Sequence, residues 1–200
     1  MVAQQVPADG RTARRDRNRD AVLDAVLDLF AEDALEPSAV QVAERSGVSL
    51  RSVYRYFEDT DELVRAAIER NLVRVGPLFV VDGLGEGALD ERVRRMVRSR
   101  LALYEQVGPL MRATLLHAGE HEILAERLAT VRRLLREQVE AMFAPELSVR
   151  PARQRREVTA ALDLLLAFES MEQLRKVQLL TRPETARVLT RAVGAVLASR

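Results

Sequence analysis

The sequence predicts an all-α protein, a small N-terminal three-helix unit followed by a larger helical body. Three observations carry this. Apolar residues recur at three- and four-residue spacing along most of the chain. No credible period-two alternation marks a strand, and no internal repeat appears. Pro and Gly punctuate most of the periodic segments at or near their ends.

The elements follow in order. Residues 1–16 lack periodicity and hold Pro7, Gly10 and a crowd of arginines, so they read as a flexible arginine-rich arm. From Asn18 the pattern turns helical: Val22, Val26, Leu29 and Phe30 share one face, with Asp24, Asp28 and Glu32 opposite. Pro37 closes the connection, and Ser38 is the expected N-cap of a second helix, AVQVAERS, that stops at Gly47. Ser49 caps a short third helix. Asp59 or Thr60 starts a longer one, which Gly76-Pro77 interrupts. DGLGEG, at 82–87, is the clearest linker. Helical patterns follow at about 88–107, 109–118, 120–143, 152–178 and 183–198, punctuated by Pro109, Gly119, Pro145, Pro151 and Pro183. Thr181 and Glu184 form a capping box for the last of them. The domains expected are the arm at 1–16, a helix-turn-helix domain at 17–62 and a helical domain at 63–200.

Composition bounds the function classes. Hydrophobic residues make up 48% and charged residues 30% of 200 residues, an ordinary globular balance. Cysteine is absent, which removes disulfides and zinc–thiolate sites and suits a reducing cytoplasm. The N-terminus has no apolar core of a secretory signal, and no apolar run approaches the ~20 residues of a spanning helix; a cytoplasmic protein is expected. Net charge is only +1, so overall charge gives no support for nucleic-acid binding. Its distribution says more, because Arg11, Arg14, Arg15, Arg17 and Arg19 crowd the arm.

The second and third helices, SAVQVAERSGVSLRSVYRYF, raise the question of what surface they touch. Val42, Ala43, Val48 and Val53 fall where two short helices must face each other across a tight turn. Ala43 permits close backbone approach, and Gly47 supplies a turn conformation that a side chain would penalise. In that helix-turn-helix arrangement Leu50, Arg51, Ser52, Tyr54 and Arg55 project away from the preceding helix. A DNA major groove accounts for them: Arg bridges guanine O6 and N7, Ser bonds a base or phosphate, Leu meets a thymine methyl, and Tyr hydroxyls suit phosphates. An αα-corner with a solvated polar face has the same spacing, and periodicity alone does not separate the two.

The motif AERSGVSLRSVYRYFEDTDEL, with its G-V-S turn, Y-x-Y-F ending and D-E-L helix start, resembles the DNA-binding domain of the tetracycline-repressor (TetR) family. The likeness is strong over residues 18–72. The run ALDLLLAFESMEQLR with TRPETARVLTRAVGAVL more weakly resembles the last two helices of many members. The resemblance implies that Leu50, Arg51 and Ser52 lie toward base edges, that Tyr54 and Tyr56 hold phosphates, and that Ser38 meets the backbone. Tyr56 suits half-core packing equally, three residues after Val53. Where the family often has Lys after the recognition helix, this chain has Thr60, which removes one counterion-releasing charge.

The same resemblance implies a homodimer, a double-stranded DNA operator and a small-molecule effector. The larger domain would serve ligand binding and dimerisation. Residues 158–180 are apolar on most sides, as are Val188, Leu189, Val193, Val196 and Leu197, so the helices at 152–178 and 183–198 are the expected interface. A central core helix of a monomer has the same pattern. Asp163, inside that run, is expected to pair with an arginine or to line a pocket. Candidate effector-lining residues are Met96, Leu103, Tyr104, Met111, Leu115, His117, Phe143, Phe168 and Met171, which would equally make a solid core. A pocket so lined is mostly apolar and takes an apolar effector.

Two other patterns point to chemistry. DGLGEGA imitates a dinucleotide fingerprint but lacks the flanking strands that one needs, and reads as an interhelical loop. His117 and His121 have metal-ligand spacing, but Gly119 lies between them and H-E-I-L-A is not H-E-x-x-H. A helical enzyme or metal-binding module built on these histidines is the rival reading. No nucleophile–base–acid set stands out, and no cofactor or enzymatic activity is expected.

Overall fold

A computed structural model describes residues 10–32, 34, 36–119 and 122–199, and among them no strand occurs. The order is α1 (Gly10–Ala31), α2 (Ala39–Ser46), α3 (Leu50–Tyr56), α4 (Thr60–Val75), a 3-10 turn (Gly76–Phe79), α5 (Leu89–His117), α6 (Glu122–Met142), α7 (Ala144–Ser148), α8 (Ala152–Leu165), α9 (Phe168–Glu172), a π turn (Gln173–Val177) and α10 (Arg182–Ala198). The described residues form two compact units: those up to Arg74 with Pro109–His117, and Val75–Gly108 with those from Ala118 on. The first compact unit takes in α4 as far as Arg74.

In the first unit α1 supplies the core face, with Val22, Leu23, Val26, Leu29 and Phe30 buried. Two arginine clamps fix its neighbours. Arg45 of α2 donates to both carboxylate oxygens of Glu32 at 3.0 and 2.8 Å. Arg70 of α4 reaches Asp20 at 2.7 Å and Asp24 at 3.1 Å. Such planar, two-pronged contacts set orientation more than a lysine would.

The second unit surrounds one core, to which α5 gives Met96, Val97 and Leu101, α6 gives Val139 and Met142, α8 gives Val158 and Leu162, and α10 gives Leu189 and Val193. A smaller cluster joins Val75, Leu103 and Val107 with Leu78, Phe79 and Leu135. The 82–87 loop is held to α5, where Arg92 donates to the Gly87 carbonyl at 3.1 Å and Arg95 to that of Gly83 at 2.6 Å. Gly83 is left-handed, and a Cβ there would lie 2.6 Å from the Arg95 guanidinium.

Three expectations need correction. α1 begins at Gly10 rather than near Asn18, so 10–16 is helical; residues 1–9 lie outside the described residues. Good helix formers extend it without any apolar stripe to betray it. α5 runs through Pro109 instead of restarting there. The helix expected over 152–178 breaks at Leu166 and Ala167, and resumes as α9 and the π turn.

Candidate nucleic-acid interface

The helix-turn-helix is assembled by its caps. Gln41 N–H donates to Ser38 Oγ at 3.3 Å, while Ser38 N–H donates to Gln41 Oε1 at 2.9 Å, a reciprocal box that starts α2. α2 ends on Gly47, at φ 68° and ψ 12°. Ser52 N–H then donates to Ser49 Oγ at 3.3 Å and starts α3. Val42, Val48 and Val53 are buried between the two helices, with Ala43 half-buried. Gly47→Ala tests the turn in isolation. A Cβ at Gly47 meets nothing within 4 Å, so only backbone strain opposes it. The variant should lose about 1–2 kcal/mol in urea unfolding.

Anchoring α3 by Val53 leaves its other side free. Leu50 is 37% and Tyr54 56% exposed, and Arg51 and Arg55 are exposed too. Arg55 donates to Ser52 Oγ at 3.4 Å and to the Tyr56 hydroxyl at 3.2 Å, with its guanidinium 5.2 Å from the Tyr56 ring centroid. That network holds Ser52 and Tyr56, both half-buried, in place. The side chains of Arg51 and Tyr54 make no hydrogen bond or ion pair among the described residues. Ser38 lies exposed at the start of α2, and Thr60, half-buried, opens α4. The exposed face of α3 is short and rich in hydrogen-bond donors, the chemistry that base edges and phosphates accept.

The candidate effector-lining residues divide between the two compact units. Met96, Tyr104, Phe143 and Met171 belong to the main core of the second unit, with Phe168 packed against it. Leu103 belongs to the smaller cluster. Met111, Leu115 and His117 are half-buried residues of the segment grouped with the first unit. The Tyr104 hydroxyl lies 2.5 Å from Glu172, and its ring centroid 5.5 Å from that of Phe168. Asp163 pairs with Arg136 of its own chain at 3.5 Å and lines an open groove of α6, α7 and α8. His121 lies outside the described residues, so the spacing of the two histidines is not described; among the described residues no cluster of His, Asp and Glu is set to hold a metal. No described helix is long and apolar enough to cross a membrane.

Sequence reasoning passed over two buried arginines of α5. Arg92 is 3% exposed and donates to Glu146 at 2.7 and 2.5 Å and to the Met142 carbonyl at 2.8 Å. Arg100, also 3% exposed, donates to Gln138 Oε1 at 2.8 Å and to the Leu135 carbonyl at 2.9 Å. Gln138 in turn donates to the Phe79 carbonyl at 2.5 Å. The usable signal was Met96-x-x-x-Arg100-x-x-x-Tyr104, a charge between two apolar residues on one helical face.

Residues 22–67 match the family model of bacterial regulatory proteins of the tetR family. No curated protein matches the chain. Among solved structures, a tetR-family transcriptional regulator from Streptomyces coelicolor is similar, with a TM-score of 0.68 and 24% identity, over 90% of this chain and 79% of that one. A candidate transcriptional regulator from Streptomyces coelicolor A3(2) is similar with a TM-score of 0.59 and 22% identity, over 92% and 99% of the two chains. At these identities the likeness speaks for the fold. The family match spans α1 from Val22, both helices of the helix-turn-helix and half of α4, so residues 22–67 are similar to the N-terminal domain of the tetR family of bacterial regulatory proteins.

Proposed function

We propose that the chain is a ligand-responsive, DNA-binding transcriptional regulator, a repressor released from a pseudo-palindromic operator by a small effector. One observation carries the reading: α3 is fixed by Val53 and Gly47 while Arg51 and Tyr54 stand outward without hydrogen-bond or ion-pair partners among the described residues. In a groove Arg51 and Leu50 would meet base edges, with Ser52 beside them. Tyr54, Tyr56, Arg55, Ser38 and Thr60 would engage the backbone.

One such helix contacts too few bases for operator-level discrimination, and a two-fold dimer doubles them. α8 and α10 are the interface proposed. Leu164, 67% exposed, and Val188, 43% exposed, are apolar side chains that a second copy would cover. The effector would favour a dimer whose reading helices are wrongly spaced, lowering operator affinity by its differential binding energy. Such a regulator works in the cytoplasm and needs no catalytic activity.

Selection of bound duplexes from a random pool tests the reading. Enrichment of an inverted repeat with half-sites about one helical turn or more apart is expected. A pool that stays random would refute the assignment. In the same assay Arg51→Ala should weaken the selected site by about 1–3 kcal/mol and relax one base position per half-site.

A further inference from the structure

The two buried arginines of α5 differ in one respect that matters. Arg92 faces a carboxylate, whereas Arg100 faces only neutral acceptors, the Gln138 amide oxygen and the Leu135 carbonyl. Among the described residues no carboxylate lies within ion-pair distance of Arg100. A guanidinium carries five N–H donors in a planar fork shaped for a carboxylate. Burying that charge without a counter-charge costs more than burying a neutral side chain of the same length. Burial accordingly pushes the Arg100 guanidinium down to about 10, with Asp163 pulling the other way.

Its surroundings define what would complete it. Met96 and Tyr104, one turn to either side on α5, are buried, as are Val97 and Leu103. A partner for Arg100 therefore has one anionic end and an apolar remainder. Asp163, the acid whose field reaches Arg100, stands on the wall of the open groove of α6 and α8.

We propose that Arg100 is the anchoring group for the carboxylate of a small ligand with an apolar tail, bound within the second unit. The proposal rests on the reading that this unit takes an effector, and it replaces a wholly apolar effector with an amphipathic acid. A dianionic phosphate fits less well, because Arg100 is a single buried charge.

The test is calorimetric, on the purified full-length chain without DNA. Decanoate, 4-phenylbutyrate and cyclohexylacetate are each compared with the corresponding alcohol, which controls for the tail. At least one acid should bind the wild type ~10- to 100-fold tighter than its alcohol, as charge-assisted hydrogen bonds predict. Arg100→Met should bring acid and alcohol within ~3-fold of each other, and should melt no lower than the wild type because it removes an uncompensated buried charge. A wild type that prefers none of the acids, or an Arg100→Met protein that keeps the preference, overturns the proposal. Should Arg100→Met not fold, Arg100→Lys decides, since it keeps the charge but loses the fork. A preference reduced ~3-fold or more supports the assignment and an unchanged one ends it. DNA selection is read separately: a chain that selects duplexes but prefers no acid loses this inference alone, and one that prefers an acid but selects no duplex loses the regulator reading.

Discussion

Glu146→Ala is expected to destabilise the second unit by about 3–5 kcal/mol in urea unfolding, among the largest effects of any surface-proximal substitution in the chain. Arg92 lies almost wholly out of water, and the Glu146 carboxylate on α7 accepts two of its hydrogen bonds, at 2.7 and 2.5 Å. Removing the carboxylate leaves the guanidinium buried with only the Met142 and Gly87 carbonyls, the predicament of Arg100. The double variant Arg92→Met with Glu146→Leu should regain most of the loss, because the cost lies in the orphaned charge rather than in missing attraction. The pair also predicts a pH dependence. Hydrogen bonds from Arg92 hold the Glu146 carboxyl below its usual range, against the burial that raises it. The folded value thus lies below the unfolded one of about 4.3. Its contribution is complete above that pH and is lost as pH falls through the folded value. The stability gap between wild type and Glu146→Gln should therefore narrow between about pH 5 and pH 2. A gap constant over that range would show that the carboxylate charge is not what Arg92 needs.

The parts of the fold legible in the sequence are those where local chemistry and tertiary packing agree. Ser38, Gly47 and Ser49 are caps by residue type and caps in fact, and Val42, Val48 and Val53, on α2, the turn and α3, are buried as their apolar character requires. The Thr181–Glu184 box was readable for the same reason, with Thr181 N–H donating to Glu184 at 2.8 Å. Where packing overrules local preference the sequence misleads. Proline normally ends a helix, yet α5 passes through Pro109, with Val107 and Leu110 buried on either side of it. No Gly or Pro marks the break after Leu165. The backbone turns extended at Ala167, the Ser170 hydroxyl takes the Leu164 carbonyl, and Phe168 and Met171 pack inward. The candidate DNA face was legible because an outward arginine and tyrosine need no partner to be noticed. Arg100 was not, because a lone charge on an apolar stripe means nothing until burial and the absence of a carboxylate are both known.

Phe57→Ala should cost about 3–5 kcal/mol, and with it operator binding. The ring is 2% exposed at the C-terminal end of α3, where its own N–H donates to the Val53 carbonyl at 3.0 Å. The Arg19 guanidinium of α1 lies 5.1 Å from the ring centroid, so Phe57 ties the reading helix to the helix that frames it. Truncation leaves a cavity the size of the ring, which short helices fixed by caps and clamps close only in part. α3 has seven residues and cannot hold its shape alone, so loss of this contact should disorder Arg51 and Tyr54 together. Phe57→Leu separates anchoring from mere folding. It keeps most of the volume but forfeits the ring face beneath Arg19, and should cost under about 1.5 kcal/mol. Its sequence preference in duplex selection should match the wild type at a temperature where both are folded. A Phe57→Ala protein that unfolds as the wild type does, or still selects the same duplex with wild-type affinity, would mean that α3 is oriented by Val53 and the Gly47 turn alone.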